Sequence, residues 1–191
     1  MSAGSTRADS TDKPFVPLAI AVLTISDTRT SADDRSGNTL VERLEAAGHR
    51  LAERAIVPDE VDDIRARVAG WIADTSVDVV ITTGGTGFTG RDVTPEAVEP
   101  LFEKRMEGFS TIFHLISFQK IGTSTLQSRA TAGVANSTYI FCLPGSPGAC
   151  RDGWDGILAQ QLDIRHGPCN FVEILPRLDE HLKRGKLRAP A

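Results

Sequence analysis

At 191 residues, with 40% hydrophobic and 24% charged residues, the chain has ordinary globular proportions and enough length to bury a sizeable core. Its formal net charge of −4 provides no basic stripe to neutralise phosphates, which argues against a nucleic-acid partner. Three cysteines without C-x-x-C spacing, four scattered histidines, and no apolar run near the ~18 residues of a membrane span argue against a disulfide framework, a zinc site and a membrane partner.

The first residues, Met1 to Lys13, are rich in Ser, Thr and Asp and carry no apolar signal segment, so residues 1–16 are expected to be a disordered tail. With the cysteine usage, this points to a cytoplasmic protein. Leu18 to Ile25 is all apolar and reads as a buried first strand ending at Ser26-Asp27-Thr28-Arg29. Loop residues are expected to Gly37, followed by a helix whose apolar face is Leu40, Val41, Leu44 and Ala47, stopping at Gly48. Arg50 to Val57 alternates weakly, as an edge strand would, and ends at Pro58-Asp59-Glu60. Val61, Ile64, Val68, Trp71 and Ile72 then recur at helical spacing.

The central stretch is Val77 to Pro95. Its β-branched start predicts a strand covered on both faces, broken at Gly84-Gly85-Thr86-Gly87. Thr94-Pro95-Glu96 reads as a helix start, with Thr94 as N-cap and Pro95 at the first helical position. A short helix interrupted near Pro100 follows, and Phe109, Ile112, Phe113 and Ile116 then mark an apolar helical face suited to core or subunit packing. Thr123 to Ala135 is small and polar, and is expected to be a helix or irregular segment carrying Ser128-Arg129. Thr138 to Leu143 is a fourth buried strand running into Pro144-Gly145-Ser146-Pro147-Gly148, and a helix is expected from Ala149 to about Gln161. Asn170 to Leu175 reads as a last strand, Pro176 to Leu182 as a closing helix, and residues 183–191 as a solvated basic tail. With no repeat and no linker, residues 17–182 are expected to form a single α/β domain. Its architecture is three-layer α/β/α around a mostly parallel sheet.

A strand, a glycine loop and a helix start place an anion site at the carboxyl end of a parallel strand, where open α/β sheets bind ligands. Gly85-x-Gly87-x-x-Gly90 satisfies the dinucleotide pattern, but the strand is the third in the chain and no acid ends a strand about 20 residues on. No Gly-Lys-Ser/Thr completes a Walker loop. Around Ser146, Pro147 removes the backbone N–H that a serine nucleophile's oxyanion hole requires, so serine hydrolysis is excluded. Asp59 and Asp92 read either as a helix cap and a turn residue or as ligands. Both stand at strand carboxyl ends alongside Ser26-Asp27 and Gly145-Ser146. Two carboxylates with substrate phosphates suit a hard cation such as Mg²⁺, and the constellation suits phosphoryl or nucleotidyl transfer.

At Thr82–Ala97 (TTGGTGFTGRDVTPEA), Leu23–Thr28, Ile56–Glu60, Ile121–Asn136 and Leu143–Cys150, the sequence resembles the MoaB/MogA family of molybdenum-cofactor biosynthesis proteins, within it the MoaB branch. The resemblance runs from about Leu18 to Leu178 and implies a molybdopterin adenylyltransferase-like fold. The activity it implies is Mg²⁺-dependent transfer of AMP from ATP to the terminal phosphate of molybdopterin, releasing pyrophosphate. By position it assigns Asp59 and Asp92 to catalysis and the metal, and Gly84, Gly85, Thr86, Gly87 and Gly145 to the nucleotide phosphates. Ser26, Asp27, Ser128 and Ser146 fall in segments lining the pterin and nucleotide pockets. It also implies a homotrimer, or a homohexamer built from trimers. The alternatives are a non-catalytic molybdopterin carrier or scaffold in the same pathway, and a nucleotide pyrophosphatase.

Overall fold

A computed structural model of the chain describes residues 13–180. Among them, strands β1 (Ala19–Ile25), β2 (Arg50–Val57), β3 (Val79–Thr83), β4 (Lys104–Arg105), β5 (Thr131–Ala135) and β6 (Thr138–Leu143) form one sheet in the order β2-β1-β3-β6-β5-β4. β2, β1, β3 and β6 run parallel, whereas β5 and β4 are antiparallel additions at one edge. The helices are α1 (Arg35–Ala46), α2 (Val61–Ala73), α3 (Thr94–Val98), α4 (Glu107–Ile121), α5 (Pro147–Gly153), α6 (Ala159–Gln161) and α7 (Phe171–Ile174), with a π-helical turn over Trp154–Leu158.

Side chains alternate across each strand, and this alternation divides the core. Ile20, Val22, Val79, Ile81 and Phe141 pack against Leu40 and Leu44 of α1 and Phe109 and Phe113 of α4. On the other face, Ala21, Leu23, Val80 and Ile140 meet Ile64, Val68 and Trp71 of α2 and Ala97 and Val98 of α3. The result is the expected three-layer α/β/α arrangement, with β2 at an edge. Because the parallel strands are adjacent, the loops that follow β1, β2, β3 and β6 gather at one end of the sheet. Among the described residues, no helix is long and apolar enough to cross a membrane.

Several elements depart from the expectations above. Thr131 to Ala135 is a strand, not a helix or irregular segment. It pairs with β6 through a turn at Asn136 (φ 45°) and Ser137 (φ 64°), and Gly133 at its centre is required because Phe102 lies where a side chain there would be. Asn170 to Leu175 is helical. The Asn170 side chain accepts the Glu173 amide (2.9 Å) and donates to the carbonyls of Ile164 and His166, making a cap instead of entering a sheet. α1 begins before Gly37, because buried Asp34 caps it by accepting the Gly37 amide at 2.9 Å. Thr94 is the first residue of α3 and not its cap; its hydroxyl donates to the Gly84 carbonyl at 2.8 Å. Of the expected tails, residues 1–12 and 183–191 lie outside the described residues. Phe15, just inside them, packs on the His49 ring.

Candidate functional site

The glycine loop owes its course to positive backbone angles. Gly84 has φ +110° and Gly85 φ +62°, and a Cβ on Gly84 would stand 2.2 Å from the Ile25 carbonyl oxygen. The chain leaving β3 therefore presses against the end of β1, a path only glycine permits. On its other side, the Gly84 amide donates to the Leu143 carbonyl (3.1 Å) and the Thr83 hydroxyl to the Pro144 carbonyl (2.9 Å). These bonds join the loop to the turn after β6.

The two acids chosen from the sequence flank this loop. Asp59 does not cap α2: its Oδ2 accepts the Asp27 amide (3.0 Å), and the Asp27 carboxylate accepts the Asp59 amide (3.1 Å) in return. This exchange fastens the loop after β1 to the loop after β2. Asp92 Oδ2 accepts the Thr89 amide (2.8 Å) and hydroxyl (2.6 Å). Built Cβ positions on Gly85 and Gly87 would lie 3.1 Å from Asp59 Oδ1 and 2.7 Å from Asp92 Oδ2. Both carboxylates thus abut the backbone expected to receive phosphates.

Their electrostatics diverge. Desolvation, reinforced by the negative charges of Asp27 and Asp92, raises the Asp59 carboxyl above its ordinary value. Burial acts in the same direction on Asp92, but the Thr89 hydroxyl and amide, the Gly87 amide and the Arg129 charge outweigh it and leave Asp92 lowered. Asp27 is also lowered, by the Arg91 guanidinium first and the Asp59 amide second. Burial pushes the Cys150 thiol up to about 11 and Cys142 up to about 12, so neither is a thiolate at neutral pH.

The remaining candidates are arranged around this corner. Ser26 Oγ accepts the amides of Thr28 and Arg29, and Ser146 Oγ caps α5 by accepting the Ala149 amide at 3.1 Å. Thr86 is buried, and its carbonyl accepts the Arg129 amide at 2.8 Å, which brings Ser128 alongside the loop. Ser128's own hydroxyl is occupied by the Ala130 amide. Asp27, Asp59 and Asp92 border an open corner; the hollow of about 320 Å³ behind Arg129, lined in part by Glu96, Arg105 and Ser110, includes none of them.

Three arginines that sequence reasoning left without a role hold the loops. Arg129 donates to the carbonyls of Gly87 and Asp92 (both 2.8 Å), pairs with Glu96, and lies over the exposed Phe88 ring. Arg29 donates to the Gly145 carbonyl (2.9 Å) and the Ser36 hydroxyl. Arg91 grips both oxygens of Asp27 (2.9 Å each) and one of Glu60 (2.8 Å). Arg91 and Arg129 each adjoin a singled-out residue, in Arg91-Asp92 and Ser128-Arg129, and that adjacency was the available signal.

A parallel sheet with such a loop corner defines an α/β ligand-binding domain, and comparison gives it a class: residues 21–164 match the family described as "Probable molybdopterin binding domain". The chain is 53% identical over 157 residues to molybdenum cofactor biosynthesis protein B of Escherichia coli K12, covering 82% of this chain and 92% of that one. A crystal structure of a molybdenum cofactor biosynthesis protein B superposes with TM-score 0.76 at 36% identity, covering 90% of this chain and 99% of that chain. The tungsten cofactor synthesizing protein MoaB from Pyrococcus furiosus gives TM-score 0.68 at 33% identity, over 75% of this chain and 92% of that one. The chain belongs to the molybdenum cofactor biosynthesis protein B family, in the MoaB/MogA group.

Proposed function

We propose that the chain is a nucleotidyltransferase that transfers AMP from ATP to the terminal phosphate of molybdopterin, releasing pyrophosphate. The observation that carries this reading is the placement of the Asp59 and Asp92 carboxylates against the Gly85–Gly87 backbone, at the loop end of a parallel sheet. The chain's family membership supplies the pterin.

The donor set fits Mg²⁺. It offers hard carboxylate oxygens, and among the described residues no three His, Cys, Asp or Glu side chains are grouped to hold a metal unaided, so substrate phosphates would complete the shell. Bound there, Mg²⁺ supplies charge neutralisation to the phosphates. Asp59 and Asp92 would hold it. The amides of Gly85 and Thr86 would bind the phosphates, while the Gly84 amide is held by the Leu143 carbonyl and the Gly87 amide by the Asp92 carboxylate, with Gly145 closing the loop's other side. Ser26, Asp27, Ser128 and Ser146 border the pterin. An oxygen of the pterin's terminal phosphate attacks the α-phosphorus of ATP. The new P–O bond forms as the bond to the α,β-bridging oxygen breaks, and that electron pair departs with pyrophosphate. The attacking phosphate is already anionic at neutral pH, so the chain's task is positioning and charge neutralisation.

Ile112, Leu115, Phe118 and Ile121 form an exposed apolar row along α4, with exposed Leu126 beyond it. This row supports association into trimers, or hexamers built from them. The free thiols of Cys142, Cys150 and Cys169 are consistent with a reducing, cytoplasmic setting.

A pyrophosphate-release assay tests the reading. Release from ATP that requires both molybdopterin and Mg²⁺ is expected. Release without pterin would indicate a pyrophosphatase, and pterin binding without release would indicate a carrier.

A further inference from the structure

The fork of Arg91 joins three of the site's loops. It projects from the loop after β3, takes both oxygens of Asp27 after β1, and reaches Glu60 after β2. Its side chain is 53% exposed, and half-exposed ion pairs of this kind contribute little to stability. The placement of the charge matters more. Asp27 is bonded to Asp59 through the reciprocal amide exchange, so the guanidinium sits beside the pair of acids that a cation would approach. The electrostatics agree: Asp59 experiences Asp27 and Asp92 as negative neighbours and Arg91 as a positive one.

We propose that Arg91 is the resident counter-cation of this acidic corner, occupying Asp27 and repelling a divalent cation from Asp59 until a polyphosphate draws the guanidinium away. This inference rests on the nucleotide-binding reading above. Two features make the exchange physically natural. A guanidinium fork matches phosphate oxygens as well as it matches a carboxylate, so an arriving polyphosphate offers Arg91 an equivalent partner. The carboxylates by themselves form no three-membered metal cluster among the described residues, so the cation also requires the phosphates. Cation and nucleotide then bind as a unit, and the free protein resists loading with metal alone.

The test uses Mn²⁺ as probe, followed by water-proton relaxation on the full chain. Without nucleotide, wild type is expected to bind Mn²⁺ weakly and Arg91→Gln about tenfold more tightly, since a neighbouring positive charge has been removed. Adding Asp27→Asn to Arg91→Gln should reverse that gain. Arg91→Lys keeps the charge and should stay as weak as wild type. With ATP, wild type should gain far more Mn²⁺ affinity than Arg91→Gln, which has lost a phosphate partner. Equal nucleotide-free affinities in wild type and Arg91→Gln, or tight binding by Arg91→Lys, would overturn the proposal. If wild type fails to take up Mn²⁺ even with ATP, the function reading itself falls; uptake with ATP that ignores Arg91→Gln removes this inference alone.

Discussion

Asp34 lies wholly out of solvent beneath the loop corner, and replacing it with alanine should cost more stability than any change to the exposed acids. Its carboxylate accepts the Thr24 hydroxyl (2.6 Å), the Gly37 amide (2.9 Å), the Ser36 hydroxyl (3.2 Å) and an Arg54 N–H (2.8 Å). Removing one partner of a buried pair costs about 3–5 kcal/mol because the other charge is stranded. Arg54 keeps 25% exposure, so water can partly take over and the low end applies, about 3 kcal/mol, with about 1 kcal/mol more for the lost cap of α1. With a urea dependence of about 2 kcal/mol per molar, the unfolding midpoint should fall by about 2 M. Burial acts to raise the Asp34 carboxyl, but Thr24, Arg54 and Gly37 overcome it, so the carboxyl titrates below the ordinary 3.8. Its contribution is therefore fully present above the unfolded value and is lost as pH falls through the lower folded one. The wild-type advantage over Asp34→Ala should be constant from pH 5 to 7 and shrink in acid. Urea melts followed by circular dichroism at fixed protein concentration measure both. Adding Arg54→Met should recover part of the loss. A midpoint shift below about 0.5 M for Asp34→Ala would refute the reasoning.

Further outcomes follow from other parts of the fold. Gly84→Ala would set a methyl 2.2 Å from the Ile25 carbonyl at φ +110°, so a loss of about 3 kcal/mol is expected in the same melts. His49 is buried and its Nδ1 accepts the Leu18 amide at 3.2 Å; burial lowers its pKa from 6.5, against an opposing pull from Asp163. The unfolded chain therefore binds more protons just below pH 6.5, stability should decline as pH falls through that window, and His49→Gln should flatten the decline. Phe118→Glu places a charge in the exposed α4 row and should shift the mass seen by light scattering toward the monomer, with the fold intact by circular dichroism.

The legible parts of this fold were those written in local patterns. β1, β3 and β6 are continuous apolar runs because both of their faces are covered, and their carboxyl ends placed Asp27, Gly84 and Gly145 in neighbouring loops, with Asp59 following the edge strand β2. β5 was hidden because its central Gly133 answers to Phe102, a partner about 30 residues away that leaves no trace in local periodicity. Asn170 to Leu175 has strand-like composition, but a capping side chain outweighs a weak propensity. The glycine loop and both acids could be read from the chain. The bracing by Arg29, Arg91 and Arg129 could not, because each guanidinium reaches carbonyls or carboxylates on another loop, and reach is a property of the folded state.

The most direct measurement is an anaerobic incubation of the purified protein with molybdopterin, ATP and Mg²⁺, followed by chromatography for adenylylated pterin. Product is expected from wild type, disappearing without Mg²⁺ and falling at least about a hundredfold in Asp92→Asn, a variant that should stay folded and assembled. Wild-type yield from Asp92→Asn would remove Asp92 from the chemistry, and pterin binding without product in wild type would contradict AMP transfer itself.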